Sequence, residues 1–335
     1  MFTFHRKNFS KPSQRFPPLE VFLLSEQRRI HELEHHHVLS LQLSSALSSF
    51  SASGSHFSGY DEDHSPRPKM TMHLLQIAKK LAHDAGKMAL KAQQKSFTVE
   101  TKDGNPINYV TAVDKACEAL ILKTIESNFP DHSILSEERG AVEKGGEYKW
   151  IIDPIDGTSN FVHGIPLFAI SIAVIHKGKP IIGVIDIPGL GESYWAQEGK
   201  GAFCGTKPIH VSKTNTMQKA MFGTGFSYDR AGPRYAKNME LWNAFYKVSN
   251  GCRRMGSAAL DLCFVAAGRY DGFWEYDLQP WDVAAGKIIV EEAGGQVTNI
   301  DGNPFNPKTR AILASNGLMH QDMLKMMRDH GADKI

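Results

Sequence analysis

Trp150-Ile151-Ile152-Asp153-Pro154-Ile155-Asp156-Gly157-Thr158-Ser159-Asn160 is the stretch from which the rest of the chain can be read. Trp150, Ile151 and Ile152 form an apolar run of the kind that makes a buried strand. The strand is expected to stop at Asp153-Pro154, because proline lacks the amide a central strand needs. Asp153 and Asp156 flank that break, so one bent segment can aim both carboxylates, and the Ile155 carbonyl between them, at one point. Hard divalent ions such as magnesium select all-oxygen sets of this kind and leave positions open to water and phosphate. Gly157-Thr158-Ser159 then supplies a flexible residue and two hydroxyls where a helix would start, and the unpaired amides of a helix start suit a phosphate. Asp before Pro or Gly also serves simply to cap turns, so the surrounding chain has to choose between the two readings.

The totals narrow the field. A chain of 335 residues can hold one large domain or two smaller ones with a substantial core. With 41% hydrophobic and 22% charged residues it has the composition of an ordinary soluble globular protein. A formal net charge of +2 offers no broad attraction to nucleic acid or acidic membranes, and no apolar run approaches the length of a bilayer span. Cys117, Cys204, Cys252 and Cys263 are scattered without a Cys-x-x-Cys pair, as expected of free thiols in a reducing compartment.

Upstream of the central stretch, residues 1–69 contain Ser-rich Ser40 to Ser55, the charged run Glu26 to Glu34 and the triplet His35-His36-His37. Such a segment buries too little apolar surface to offset its ordering entropy, so a disordered extension is expected. Its start, with Arg6, Lys7, Lys11 and Arg15, has the flavour of an organelle transit peptide, against which Glu20, Glu26, Glu32 and Glu34 count. Met70 or Met72 could equally be the true start. From His73, apolar residues recur at helical spacing to Ala89. Lys102 to Pro106 is turn chemistry, and a second helix starts at Thr111-Ala112-Val113-Asp114, with Ala116, Leu120, Ile121 and Ile125 as its inward stripe. Asp114 either favours that helix's dipole or faces a metal. Ser133 to Ser136 reads as a short strand running into Glu137-Glu138, which is either a solvated loop or a pair of acids aimed at an ion.

Downstream, Leu167 to Val174 and Pro180 to Ile187 read as strands of a hairpin turning at Lys177-Gly178. Ser193 to Ala196 and Gly201 to Phe203 add shorter strands. Met221 to Ser227 reads as a strand, Tyr235 to Tyr246 and Ser257 to Ala267 as helices, and Tyr270 to Glu275 as a strand. After Leu278-Gln279-Pro280, Trp281-Asp282 leads into a helix from Val283, for which Asp282 could be only the N-cap.

Asp153-Pro154-Ile155-Asp156-Gly157-Thr158, together with Trp281-Asp282-Val283-Ala284-Ala285-Gly286 and Glu291-Glu292-Ala293-Gly294-Gly295, resembles the two signatures of the inositol monophosphatase family. Glu137-Glu138 and Val110 to Asp114 fall in the same order and spacing, and the likeness covers about residues 73–330. It implies an α/β fold, a layered αβαβα sandwich with mixed and antiparallel sheets. The domain would occupy 70–335, with a metal and phosphate half at about 70–212 and a substrate half at about 213–335. By the resemblance, Glu137, Asp153, the Ile155 carbonyl, Asp156 and Asp282 are the magnesium ligands, with Glu138 assisting at a third ion, giving two or three ions per site. Thr158 and Asp114 handle the attacking water, and no protein nucleophile is needed.

The resemblance further implies that Gly157, Thr158 and Ser159 hold phosphate, while Gly256, Ser257, Ala258 and Glu275 contact the alcohol, alongside Asp282. The expected activity is hydrolysis of a phosphate monoester, foremost myo-inositol 1-phosphate. The alternatives are histidinol phosphate, fructose 1,6-bisphosphate, galactose 1-phosphate or 3′-phosphoadenosine 5′-phosphate, or a partner-binding role of the same fold. A homodimer, inhibition by lithium, and a cytoplasmic location with a plastid or mitochondrion as alternative complete the expectations.

Overall fold

The computed structural model describes residues 2–4, 68–102 and 104–335. Of the N-terminal stretch expected to be disordered, Phe2–Phe4 forms strand β1. The remaining expectations for that stretch, the targeting role and the His35-His36-His37 triplet included, lie outside the described residues.

Helix α1 (Pro68–Gln93) starts earlier than the apolar pattern implied, with proline in its first turn, where no amide is lost. Leu74, Ala78, Leu81, Ala82, Ala85 and Ala89 form its buried stripe. Strands β2 (Phe97–Thr101) and β3 (Tyr109–Thr111) flank the Lys102 to Pro106 turn and make a small antiparallel sheet with β1. Helix α2 (Ala112–Asn128) begins at the Thr111 N-cap, whose hydroxyl accepts from the Val113 and Asp114 amides. Its buried face is Val113, Asp114, Cys117, Glu118, Ile121, Leu122 and Ile125. Of the expected stripe Ala116, Leu120, Ile121 and Ile125, the two isoleucines are fully buried and Ala116 and Leu120 only half-buried, and the buried face also carries two acids.

The next strands are β4 (Ser133–Ser136), β5 (Gly140–Val142) and β6 (Tyr148–Asp156). The one-and-a-half-turn helix α3 (Thr158–His163) follows, then β7 (Ala169–His176), β8 (Lys179–Ile187), β9 (Glu192–Gln197), β10 (Ala202–Cys204) and β11 (Lys207–Ile209). They assemble into an eight-stranded mixed sheet of order β11-β10-β9-β8-β7-β6-β4-β5. The β7–β8 hairpin turns at Lys177 (φ 49°) and Gly178 (φ 83°), the paired positive φ of a two-residue hairpin loop.

Strand β6 does not end at Asp153-Pro154. It continues to Asp156 through an irregularity: Asp153 pairs with Ser171 and Asp156 with Ala169, with Pro154 and Ile155 between them off the ladder. A bulge accommodates a proline inside a strand because the missing amide has no ladder partner to lose.

Strand β12 (Met221–Thr224), helix α4 (Pro233–Val248), β13 (Gly251–Arg253), helix α5 (Ala258–Ala266), β14 (Gly272–Tyr276), helix α6 (Pro280–Glu292), β15 (Gln296–Thr298), β16 (Ala311–Ser315) and helix α7 (His320–Asp329) complete the chain. The strands form a five-stranded sheet of order β13-β12-β14-β16-β15.

Helices α1 and α2 cover one side of the eight-stranded sheet. Helices α5 and α6 lie between the two sheets, and α4 and α7 cover the far face of the five-stranded one. These are the five layers of an αβαβα sandwich. One apolar cluster, including Ile185, Ala259, Leu262, Ala285 and Phe273, fills the space around α5 and α6. A second, built on Phe222, Phe245, Trp274 and Leu313, fills the outer interface. Full burial of side chains of this size contributes about 1.5–3 kcal/mol each. Among the described residues no helix is long and apolar enough to cross a membrane.

Candidate active site

The bulge in β6 and the first turn of α6 meet. Asp153, Asp156 and Asp282 each bring a carboxylate oxygen to within 4.8 Å of the others. Each carboxylate is anchored by a backbone amide, and Asp156 by the Ser257 hydroxyl as well. The Ile155 amide donates to Asp153 Oδ1 at 3.0 Å, Ser257 Oγ and the Ala259 amide to Asp156 Oδ2 at 2.6 and 2.7 Å, and the Gln279 amide to Asp282 Oδ2 at 2.6 Å. Asp282 is the third residue of α6, since the helix starts at Pro280. It reaches back to cap Gln279 and is not itself the N-cap.

Burial pushes the Asp153 carboxyl well above its ordinary range, and the charges of Glu137, Asp156 and Asp282 push it further. Burial and then Asp156 do the same to Asp282, while burial raises Asp156 to about 6 against the hydrogen bonds from Ser257 and Ala259, which hold it down. Carboxyls crowded in this way cannot all ionise without a cation among them. The donor set is all oxygen, as a hard divalent ion requires.

Beside the acids, Thr158 Oγ1 lies 3.1 Å from Asp114 Oδ1 and 3.0 Å from the Ile155 carbonyl oxygen. A hydroxyl has one hydrogen, so it donates to one of these acceptors at a time. Asp114 is fully buried at the start of α2 and also accepts from the Thr111 amide (2.9 Å) and from the Thr111 hydroxyl. Burial raises its carboxyl to about 7. It thus caps the helix and faces Thr158 at once.

Glu137 and Glu138 follow β4 and are not a solvated loop. Lys102 Nζ stands 2.6 Å from Glu137 Oε1 and 2.5 Å from Glu138 Oε1. Burial alone would lower the Lys102 ammonium, but the two carboxylates overcome it and hold its pKa up. Burial raises Glu138. From the other side Glu118 Oε1 accepts the Glu138 amide at 3.0 Å and the Arg139 amide at 3.2 Å. Sequence reasoning missed both Lys102, read as turn chemistry, and Glu118. The available signal for Glu118 was its place four residues after Asp114, on the same helix face.

The residues expected to meet substrate gather across the gap. Gly157 (φ 92°) and Gly256 (φ 82°) both take the left-handed conformation. A Cβ on Gly157 would lie 3.1 Å from the Gly256 carbonyl oxygen, so these two corners touch. Asn160 Nδ2 bridges them, donating to the Leu167 and Met255 carbonyls at 2.6 and 2.7 Å. Ser159 follows Thr158 in α3. Ser257 caps α5, accepting from the Leu260 amide while donating to Asp156, and Ala258 is buried in the first turn. Glu275, on β14, passes so close to Gly225 that a Cβ there would fall 1.9 Å from Oε1. Burial and then the charges of Asp282 and Asp156 raise the Glu275 carboxyl well above its ordinary range, which ties it to the same acidic centre.

A layered αβαβα sandwich with an oxygen-only acidic centre where a bulged strand meets a central helix defines the class of metal-dependent phosphatases. Within it, the chain belongs to the inositol monophosphatase family, whose model matches residues 70–332. It is 42% identical over 261 residues to "Phosphatase IMPL1, chloroplastic" of Arabidopsis thaliana, an alignment covering 76% of this chain and 69% of that protein. It is 36% identical over 261 residues to "Nus factor SuhB" of Pseudomonas aeruginosa, covering 77% of this chain and 96% of that one. Among solved structures, the inositol monophosphatase from Anabaena (Nostoc) sp. PCC 7120 superposes with a TM-score of 0.69 at 41% identity, over 77% of this chain and 96% of that chain.

Proposed function

We propose that this chain hydrolyses a phosphate monoester, foremost myo-inositol 1-phosphate, with magnesium and with water as the nucleophile. The observation that carries the reading is the convergence of Asp153, Asp156 and Asp282 within 4.8 Å beside the Thr158–Asp114 pair. Glu137, Asp153, the Ile155 carbonyl, Asp156 and Asp282 would hold two magnesium ions, and Glu138 a third. When bound, such ions acidify water and neutralise charge on the phosphate and the leaving oxygen.

The chain's own residues do the rest. Thr158 orients the attacking water through its hydroxyl, and its proton can pass toward Asp114, whose pKa of about 7 suits a general base at neutral pH. Amides of Gly157, Thr158 and Ser159 face the phosphate. Gly256, Ser257 and Ala258 line the alcohol's side, where Glu275 accepts hydroxyls, which favours a polyol over an apolar alcohol. A metal and phosphate half at about 70–212 and a substrate half at about 213–335 accord with the two sheets, whose strands lie within 133–209 and 221–315.

A homodimer and lithium inhibition belong to the same proposal. So does a cytoplasmic location, with a plastid as the alternative that the Arabidopsis relative's name favours. The Pseudomonas relative's name, a Nus factor, supports a second reading in which the fold also serves a protein partner.

The test is phosphate release from myo-inositol 1-phosphate, fructose 1,6-bisphosphate and histidinol phosphate, with magnesium and with chelator, for wild type and Asp156→Asn. Magnesium-dependent turnover of the inositol ester that the substitution abolishes is the expected result. Turnover of another ester alone would keep the site and replace the substrate. No turnover of any would leave the partner-binding reading.

A further inference from the structure

Glu118 is 5% exposed on the inward face of α2, one turn beyond Asp114, and it is not among the residues expected to hold metal or substrate. A carboxylate is an expensive residue to bury, and here it stands near Glu138, whose carboxyl its charge helps to raise. Hydrogen bonding offsets that cost: a single oxygen, Oε1, accepts two successive backbone amides, Glu138 at 3.0 Å and Arg139 at 3.2 Å. The preceding amide, Glu137, donates to the Ile152 carbonyl at 3.2 Å. Three consecutive amides of the Glu137–Arg139 turn are thus committed, one to the strand that carries Asp153 and two to the helix that carries Asp114.

We infer that Glu118 is a positioning residue for the metal-binding acids: it locks the backbone of the turn so that Glu137 and Glu138 are presented at a fixed distance from Asp153 and Asp114. The inference rests on the metal-dependent reading above. Its physical content is that loop carboxylates bind a cation more weakly when their backbone must be ordered on binding, because that ordering entropy is then charged to the metal. Groups that orient metal ligands in this way typically change metal affinity on the order of ten- to hundredfold when removed.

The experiment measures Mn2+ binding to the full chain by calorimetry, together with the Mg2+ concentration for half-maximal phosphate release, KM at saturating Mg2+, and thermal unfolding. Glu118→Ala removes the acceptor. Glu118→Asp keeps the charge but withdraws it by one methylene, about 1.5 Å, beyond reach of the amides. Glu118→Gln keeps an acceptor oxygen at the original reach without the charge.

Expected are Mn2+ affinity and Mg2+ requirement weakened on the order of ten- to hundredfold in the Ala and Asp variants. The Gln variant should be restored to within about threefold of wild type, since an amide oxygen accepts the same N–H groups, and KM should be nearly unchanged throughout. Should the Ala variant fail to fold, the Asp and Gln pair carries the test alone. The inference is overturned if the Asp variant binds Mn2+ as wild type does, if Gln is as impaired as Asp, or if unfolding temperatures fall while Mn2+ affinity holds. A wild-type chain that binds no Mn2+ would overturn the metal-dependent reading itself, a result distinguishable from all of these.

Discussion

Thr158 holds one proton between two acceptors, Asp114 Oδ1 at 3.1 Å and the Ile155 carbonyl at 3.0 Å, and Asp114 is held independently by the Thr111 amide. Removing the hydroxyl should therefore disturb the chemistry more than the fold. Thr158→Val, of nearly equal volume, is expected to lower kcat on the order of 10²–10⁴-fold. Thr158→Ser, which keeps the hydroxyl, should retain most of the rate, and steady-state kinetics with circular dichroism as the folding control check both. The acids themselves were recognisable as residues because Asp153-Pro154-Ile155-Asp156 and Trp281-Asp282 are short and local in sequence. Lys102 and Ser257 were not seen as their supports. A lysine in a turn and a serine before a helix look alike whether or not a carboxylate waits opposite them.

At the level of elements, the site depends on how closely α6 can approach the eight-stranded sheet. Gly183 on β8 makes that approach possible. A Cβ there would stand 2.5 Å from the Ala285 carbonyl oxygen and 2.6 Å from Ile288 Cγ2. Gly183→Ala is expected to cost about 1–3 kcal/mol through overpacking. Because α6 carries Asp282, the substitution should also raise the Mg2+ requirement for activity, read from chemical denaturation and from metal titration on the same variant. Sequence periodicity located several elements well: the β7–β8 hairpin, β4, α4 and α5 fall within a few residues of their expected bounds. It missed the continuation of β6 through Pro154, since proline reads as a stop and only a neighbouring strand reveals a bulge. On α2 it found Ile121 and Ile125 but took Ala116 and Leu120 where the buried face carries Cys117 and Glu118, because a carboxylate on a helix gives no apolar signal of burial.

For the whole molecule, the acidic centre makes stability depend on pH and on metal in opposite senses. Asp114 moves from an ordinary 3.8 to about 7 on folding, and Asp156 to about 6. Between those limits the folded chain holds more protons than the unfolded one, so stability falls as pH rises from about 4 to about 7. A divalent ion binds the deprotonated acids, so its stabilisation grows over the same window. Thermal unfolding in chelator should thus show a decline in Tm across this range attributable to these acids. Added Mg2+ should raise Tm at pH 7.5 far more than at pH 5, and Asp156→Asn should flatten both trends.

The sequence by itself determined the family, the two sets of strands and helices, and the acids of the centre. Those are properties of local patterns: apolar periodicity, proline and glycine punctuation, and carboxylates at short fixed spacings. Only the tertiary structure decided that Asp282 comes within 4.8 Å of Asp153 and Asp156. The pairing of Thr158 with Asp114, 44 positions away, the bracketing of Glu137 and Glu138 between Lys102 and Glu118, and the bond from Ser257 to Asp156 were decided there too. Those contacts join segments far apart in the chain. Distance in space between such segments is set by how the layers pack, which no short-range pattern encodes.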